Sequence, residues 1–219
     1  MHIFSKKIVT VLSISLFAAL LVSCGSAQNS SKANQIEPLP EALSIDDING
    51  KQVIASFEPS DVTLSDDGTL SVNFKVYNIE HFSSDDIANM KVGDTILLLG
   101  EEVKVDSLDR NDSGSVDING GVEENGYYLA ESLDGDGTYC QYFWNVQQNY
   151  YEIGAVSFDS AKDFEYIDQS AGPDEPDETY SASEFYNALQ DSQESYSPYY
   201  TRVLIEENQI SNITRVFVP

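Results

Sequence analysis

Basic residues are scarce in this chain. Eleven lysines and arginines stand against 37 aspartates and glutamates, a formal net charge of −26 at pH 7. Phosphate backbones are bound by lysine and arginine, so the shortage excludes nucleic acid as a partner. Histidine is nearly as rare, at positions 2 and 81 only, and no G-x-S-x-G, H-E-x-x-H, Walker or G-x-G-x-x-G pattern occurs. With so little nucleophile, base or phosphate-loop chemistry in view, the sequence reads as a non-enzyme. Long apolar runs are missing too. The longest, Ile8–Val22, falls short of the ~20 residues that a membrane-spanning helix needs. There are two cysteines, Cys24 and Cys140, and two methionines.

Lys6 and Lys7 precede that apolar run, and Leu21-Val22-Ser23-Cys24 closes it. A positive start, a short apolar stretch and a small-residue end form a secretory signal. With a cysteine at the cleavage point it resembles the lipobox of bacterial lipoproteins. That resemblance implies a diacylglycerol on the Cys24 thiol, removal of residues 1–23, and a cell-membrane address on the extracytoplasmic face. It also leaves Cys140 with no intrachain partner, so this exported chain folds without a disulfide. Removing Lys6 and Lys7 leaves 9 basic against 37 acidic residues in the mature chain, or −28. Such a charge is repelled by an anionic lipid surface, and residues 24–42, rich in Ser, Asn, Gln and Pro, read as a flexible tether that separates the two.

Residues 43–219 then form one domain. Hydrophobic residues make up 41% and aromatics 11%, enough for a packed core despite the charge. Thirteen tyrosines and ten phenylalanines favour strands. Candidate strands are Lys51–Phe57, Val62–Leu64 and Leu70–Asn78, with Ser65-Asp66-Asp67-Gly68 turning the last two. Thr95–Leu99 is turned by Gly100-Glu101 into a strand carrying Val103, Val105 and Leu108. Further strands are Gly126–Ala130, Thr138–Trp144, Tyr150–Phe158 and Asp163–Asp168, and Arg202–Glu206 with Ile210–Val218 makes a closing hairpin. One helix starts at a Ser83 cap, with Asp85 and Asp86 in its first turn, a Phe82–Ile87 staple, and Gly93 to end it. A second runs over Ala182–Gln190 behind Ser181 and Glu184 in capping-box spacing. The expected fold is mainly β: a single antiparallel β-barrel-like or rolled-sheet domain with two short helices, entered through the Lys91–Ile96 segment.

Two candidate sites emerge. In a strand over Thr138–Trp144, Tyr139, Gln141 and Phe143 share one face and Cys140, Tyr142 and Trp144 the other. Tyr142, Trp144 and Tyr128 are therefore candidates for a ligand face, a glycan or peptide site; the competing reading is that one face is core and the other packs on a helix. Calcium is the second candidate. Asp109 and Asn111 crowd one turn and Asp134 and Asp136 another, each around glycine, as oxygen ligands for a hard cation would be. Counted as an EF-hand loop from Asp109, however, position twelve is Gly120 where a bidentate Glu belongs. Asp and Asn also populate turns for their own backbone bonds. His81 lies just before a helix cap, and Cys140 lies among aromatics, where a thiol is ordinarily buried and inert.

The segments Val92-Gly93-Asp94-Thr95-Ile96, Asn119-Gly120-Gly121, Glu124–Leu129 and Arg215–Pro219 are similar to those of small lipoproteins of Gram-positive anaerobes. The resemblance implies location and single-domain length and carries no activity. The sequence thus describes a membrane-anchored, non-catalytic module for an unknown extracellular ligand, or alternatively a structural or interaction lipoprotein that meets an envelope protein through its acidic surface. Cys24→Ala is expected to move the protein from the detergent phase to the aqueous phase of a phase partition, or to leave the uncleaved precursor. A processed mutant that still partitions with membranes would overturn the anchor.

Overall fold

The computed structural model describes residues 43–133, 135–143 and 147–218; the signal segment, Cys24 and the tether lie outside them. In chain order the elements are α1 (Ile45–Ile48), β1 (Lys51–Ser56), β2 (Val62–Leu64), β3 (Leu70–Asn78), α2 (Ser84–Asn89), β4 (Thr95–Leu98), β5 (Glu101–Lys104) and β6 (Leu108–Arg110). There follow β7 (Val116–Ile118), β8 (Tyr127–Glu131), β9 (Tyr139–Phe143), β10 (Gln147–Gln148), β11 (Tyr151–Asp168), β12 (Glu178–Tyr180), α3 (Ala182–Ser192), β13 (Thr201–Glu206) and β14 (Gln209–Arg215).

Five strands close into a barrel in the ring order β1–β3–β11–β14–β13. Strand β1 pairs with β13 through Lys51–Ile54 and with β3 through Ile54–Ser56, so it turns a corner at Ile54. The long strand β11 does the same. Its first half pairs antiparallel with β3, and its second half pairs parallel with β14 after a register shift between Ser160 and Glu165. Shared strands and bulges are how a twisted sheet bends far enough to close. With α3 between the third and fourth strands, this is the Greek-key arrangement of an OB-type barrel. The expected mainly-β, barrel-like fold is what forms; its one parallel pair, β11 with β14, departs from an all-antiparallel ring.

The barrel interior follows from alternation. In β3, Leu70, Val72, Phe74 and Val76 point inward at 2% exposure or less, with Ser71, Asn73 and Lys75 between them. Helix α3 plugs the barrel. Glu184 accepts from the backbone N–H and hydroxyl of Ser181, completing the expected capping box, and Phe185 and Leu189, one turn apart, enter the core. The Phe185 ring stacks on Tyr166 at 4.5 Å and meets Phe57, Phe164 and Tyr196 at 5.8–6.5 Å. A third helix, α1, is a single turn in which Asp47 accepts from the Ser44 N–H and hydroxyl.

Between β3 and β11 the chain inserts a second layer, residues 79–150. It holds α2, the β4–β5 hairpin and the meander β10–β9–β8–β7–β6. One meander face packs on α2 and the hairpin through Ile87, Met90, Leu98, Val103, Ile118 and Leu129. The other packs on the barrel, where Cys140 and Tyr142 meet Ile54 and Ile79. The Lys91–Ile96 segment therefore leads into a two-stranded hairpin outside the barrel, not into the barrel itself. That hairpin turns at Leu99-Gly100 instead of Gly100-Glu101, and the strand expected to run on to Leu108 stops at Lys104, because the Asn119 side-chain carbonyl takes the amides of Asp106 and Ser107. Asp163–Asp168 is the second half of β11, not a separate strand. Helix α2 ends at Asn89, short of Gly93, with Arg110 donating to the Ile87 and Met90 carbonyls.

Phe185→Ala removes the plug, and a buried Phe→Ala change costs about 3–5 kcal/mol. Denaturant unfolding followed by circular dichroism should show a loss of that size.

Candidate functional site

A groove of about 790 Å³ opens where the insertion leaves the barrel. Asn78–Phe82, running on from β3, line it together with Tyr151, α2 and the first three residues of β4. These walls are held by specific bonds. Glu80 accepts from the turn amides Leu99 and Gly100 at 2.9 and 2.7 Å, which ties the hairpin tip to the chain leaving β3. Gly100, at φ 77°, is required there, since a Cβ on it would lie 3.0 Å from the Tyr151 ring. At the helix, Asp86 accepts from the Ser83 N–H and hydroxyl, and Ser83 accepts in return from the Asp86 N–H. These bonds hold the Asp86 carboxyl below its ordinary range, the Ser83 hydroxyl contributing most. Phe82 and Ile96 pack with Ile87 and Met90 as the apolar floor, in keeping with the expected Phe82–Ile87 staple.

The rim is acidic. Glu80, Asp85, Asp86 and Asp94 line the groove, and no lysine or arginine does. His81 is the histidine in this lining. Its Nδ1 lies 2.9 Å from Thr138 Oγ1, and the same hydroxyl donates to Asp136 Oδ1 at 2.6 Å. Thr138 therefore accepts from His81 Nδ1–H. Cys140 is fully buried in the layer between meander and barrel, where Gln148 donates to its sulfur at 3.3 Å. The hydroxyl paired with His81 is that of Thr138, and its proton is committed to Asp136, so His81 Nδ1 is not placed to take it.

The sequence-derived candidates fall elsewhere. Tyr142 is 3% exposed, its hydroxyl donates to the Glu131 carbonyl, and burial pushes its ionisation up. It belongs to the core and offers no ligand face, because the face of β9 that carries Cys140 and Tyr142 packs on Ile54 and Ile79. Trp144 and Asp134 lie outside the described residues, as does Cys24. Tyr128 is half-buried and borders an acidic depression with Asp109, Asp117 and Phe143. Asp109 faces Asp117 across β6 and β7, while Asn111 spends its carbonyl on the Ser113 N–H and hydroxyl and the Ser115 N–H. Asp136 likewise serves its own turn, through the Thr138 N–H and hydroxyl. Among the described residues, which include Asp109, Asn111 and Asp136, no group of three or more His, Cys, Asp or Glu side chains is arranged to hold a metal ion. The groove itself escaped sequence reading. Its one signal was the run Glu80-His81-Phe82 ahead of an acidic helix start.

OB-type barrels take ligands on the second and third strands and adjoining loops. Here those strands, β3 and β11, carry an exposed Lys75–Glu152 ion pair of 2.8 Å beside a depression of about 390 Å³, half the volume of the groove. The family models, curated proteins and solved structures compared with this chain include no match.

Asp117 tests the electrostatics of the acidic depression. Partial burial, then repulsion from Asp109 and Glu123, raises its carboxyl above 3.8. A raised folded-state value penalises the native state wherever the carboxyl is charged, and the penalty fades as pH falls through that value. Asp117→Asn should therefore raise the melting temperature by about 1–2 °C at pH 7 and leave it unchanged at pH 3, as read by scanning calorimetry.

Proposed function

We propose that this chain is a lipid-anchored, extracytoplasmic binding module without catalytic activity, whose ligand seats in the groove between β4 and α2. The observation that carries the reading is the groove itself. At about 790 Å³ it lies in the range of ligand pockets, 300–1,000 Å³, and it joins an apolar floor to a few fixed polar groups as such pockets do. The Thr138 hydroxyl beside His81 donates to Asp136 and Cys140 is buried in the layer between meander and barrel, so neither is set up as an activated nucleophile. This supports binding over catalysis. The anchor in this reading is acylated Cys24; no helix among the described residues is long and apolar enough to cross a membrane. Two acyl chains hold a protein at a bilayer where one does not, and the tether carries the acidic domain clear of the lipid.

A thermal-shift series on the full chain in neutral detergent, against saccharides, short peptides and calcium, tests this. A ligand of the native state at a hundredfold excess over its Kd stabilises by about 2.7 kcal/mol, a rise of about 5–10 °C for a domain of this size. Leu97→Arg, which puts a long cation at the exposed lip of the acidic groove, should abolish the shift. A shift of equal size in that variant would move the site elsewhere. No shift with any ligand would favour the alternative, an acidic interaction lipoprotein that meets an envelope protein.

A further inference from the structure

An unpaired strand edge is a template for another strand unless charge, proline or a covering element protects it. The two strands of the hairpin differ in this respect. Strand β5 is guarded by Glu101, Glu102 and Lys104, all exposed. Strand β4, Thr95-Ile96-Leu97-Leu98, carries no charge, and among the described residues only β5 pairs with it. The two-residue turn, with Leu99 at φ 54° and Gly100 at φ 77°, closes on the pair Leu98–Glu101. The next hydrogen-bonded pair is Ile96–Val103. Thr95 and Leu97 therefore turn their N–H and C=O groups away from β5. The groove lies on that side, since its lining takes in Thr95, Ile96 and Leu97 and no residue of β5.

We infer that the groove takes an extended cationic peptide segment, with lysine or arginine alternating with apolar residues, as a third strand added to β4. The inference rests on the groove being the binding site and names its occupant. Backbone bonds to Thr95 and Leu97 supply affinity, and alternate side chains supply specificity. Apolar side chains meet the floor of Phe82, Met90 and Ile96. Basic ones meet the carboxylates of Glu80, Asp85, Asp86 and Asp94, in a groove lined by no cation of its own. The bonds from the Leu99 and Gly100 amides to Glu80, from Ser83 to Asp86 and from the Lys91 N–H to Asp94 hold three of those carboxylates in position. A neutral or acidic strand would leave that rim uncompensated.

Fluorescence anisotropy of a labelled alternating Lys-Val hexapeptide with the full chain in neutral detergent tests the proposal. Two further peptides carry N-methyl groups on alternate backbone nitrogens, one in each register, and a fourth alternates Glu with Val. Saturable binding of the parent is expected, weakened about tenfold or more by methylation in at least one register, with no binding of the Glu-Val peptide. Leu97→Pro removes an outward N–H without touching the β4–β5 ladder and should weaken the parent peptide to a similar degree, whereas Leu97→Ala should not. Methylation keeps the peptide's charge, so diffuse attraction to an acidic protein predicts equal binding of all three Lys-Val peptides. That outcome would overturn strand addition, and would leave the groove standing if Leu97→Arg still abolished binding. Equal binding of the Glu-Val peptide would overturn the cationic class. Binding unchanged by both Leu97→Pro and Leu97→Arg would overturn the groove as well. No saturable binding at millimolar peptide would overturn the proposal alone, the ligand series deciding the groove.

Discussion

The pairing of β3 with β11 is the constraint on which the rest of this structure depends. The insertion leaves the barrel after Asn78 and returns at Tyr151, and those two residues are opposite one another in the ladder, with the Asn78 amide donating to the Tyr151 hydroxyl at 3.1 Å. Residues 79–150 therefore begin and end at neighbouring points. An excursion of that length between paired strand ends adds little closure cost, because the cost grows only with the logarithm of length. The same junction makes the groove: one wall is the chain leaving β3, another is Tyr151 opening β11, and the hairpin is bound across them by Glu80. Loss of the β3–β11 ladder would open the barrel, free both ends of the insertion and separate the walls in a single event.

How much of this could be read from the sequence depended on how far apart the interacting residues are. Helix α2 was legible, since the Ser83 cap, the Asp86 return bond and the Phe82–Ile87 contact are all local. So was the terminal hairpin, whose turn residues Glu207 and Asn208 both take positive φ. Strand β11 was half legible. Gly154 marks an irregularity within the half paired with β3. The largely polar stretch Asp159–Asp163 breaks the alternation where the chain changes partner from β3 to β14, and nothing local says that one strand continues through the change. The aromatic strand β9 misled for a different reason. Its alternation was read correctly, but whether Tyr142 faces solvent depends on the barrel lying against it, and that contact joins residues far apart in the chain. The groove was least legible of all. Its acids are four among 37, and only folding sets them around one apolar floor.

The charge imbalance explains how those acids are used. The ion pairs among the described residues are Lys75–Glu152, Lys104–Asp106 and Arg215–Glu194, and exposed pairs contribute little in any case. With cations scarce, carboxylates find backbone and hydroxyl donors instead. Asp47, Asp86 and Glu184 each close a capping box, Asp67 and Asp136 each brace a turn, and all five are held below their ordinary values, first by a serine or threonine hydroxyl. Such bonds fix a carboxylate without neutralising it. A chain built this way keeps an acidic surface as a structural property, and a groove rimmed by such groups keeps its potential without any dedicated arrangement.

That division of labour bears on what the barrel is for. A shared fold does not carry a shared function, and an OB-type barrel facing nucleic acid would need a basic surface that this composition cannot provide. Its inner face is filled by Phe74, Val76, Phe164 and Phe185, and its β3–β11 outer face carries an ion pair beside a shallow depression. The barrel acts as a rigid base: it closes on itself, it is plugged by α3, and it presents two adjacent strand ends. The groove and the bare β4 edge lie in what those ends support. The hairpin carries one guarded edge and one bare edge, and the bare edge faces the groove. Had burial of the β4–β5 hairpin been its only purpose, charges on β4 like those on β5 would have protected both sides at no cost to the apolar floor, since Thr95 and Leu97 point their side chains away from it. Their absence on the side that borders the groove is what leaves that edge open to a further strand.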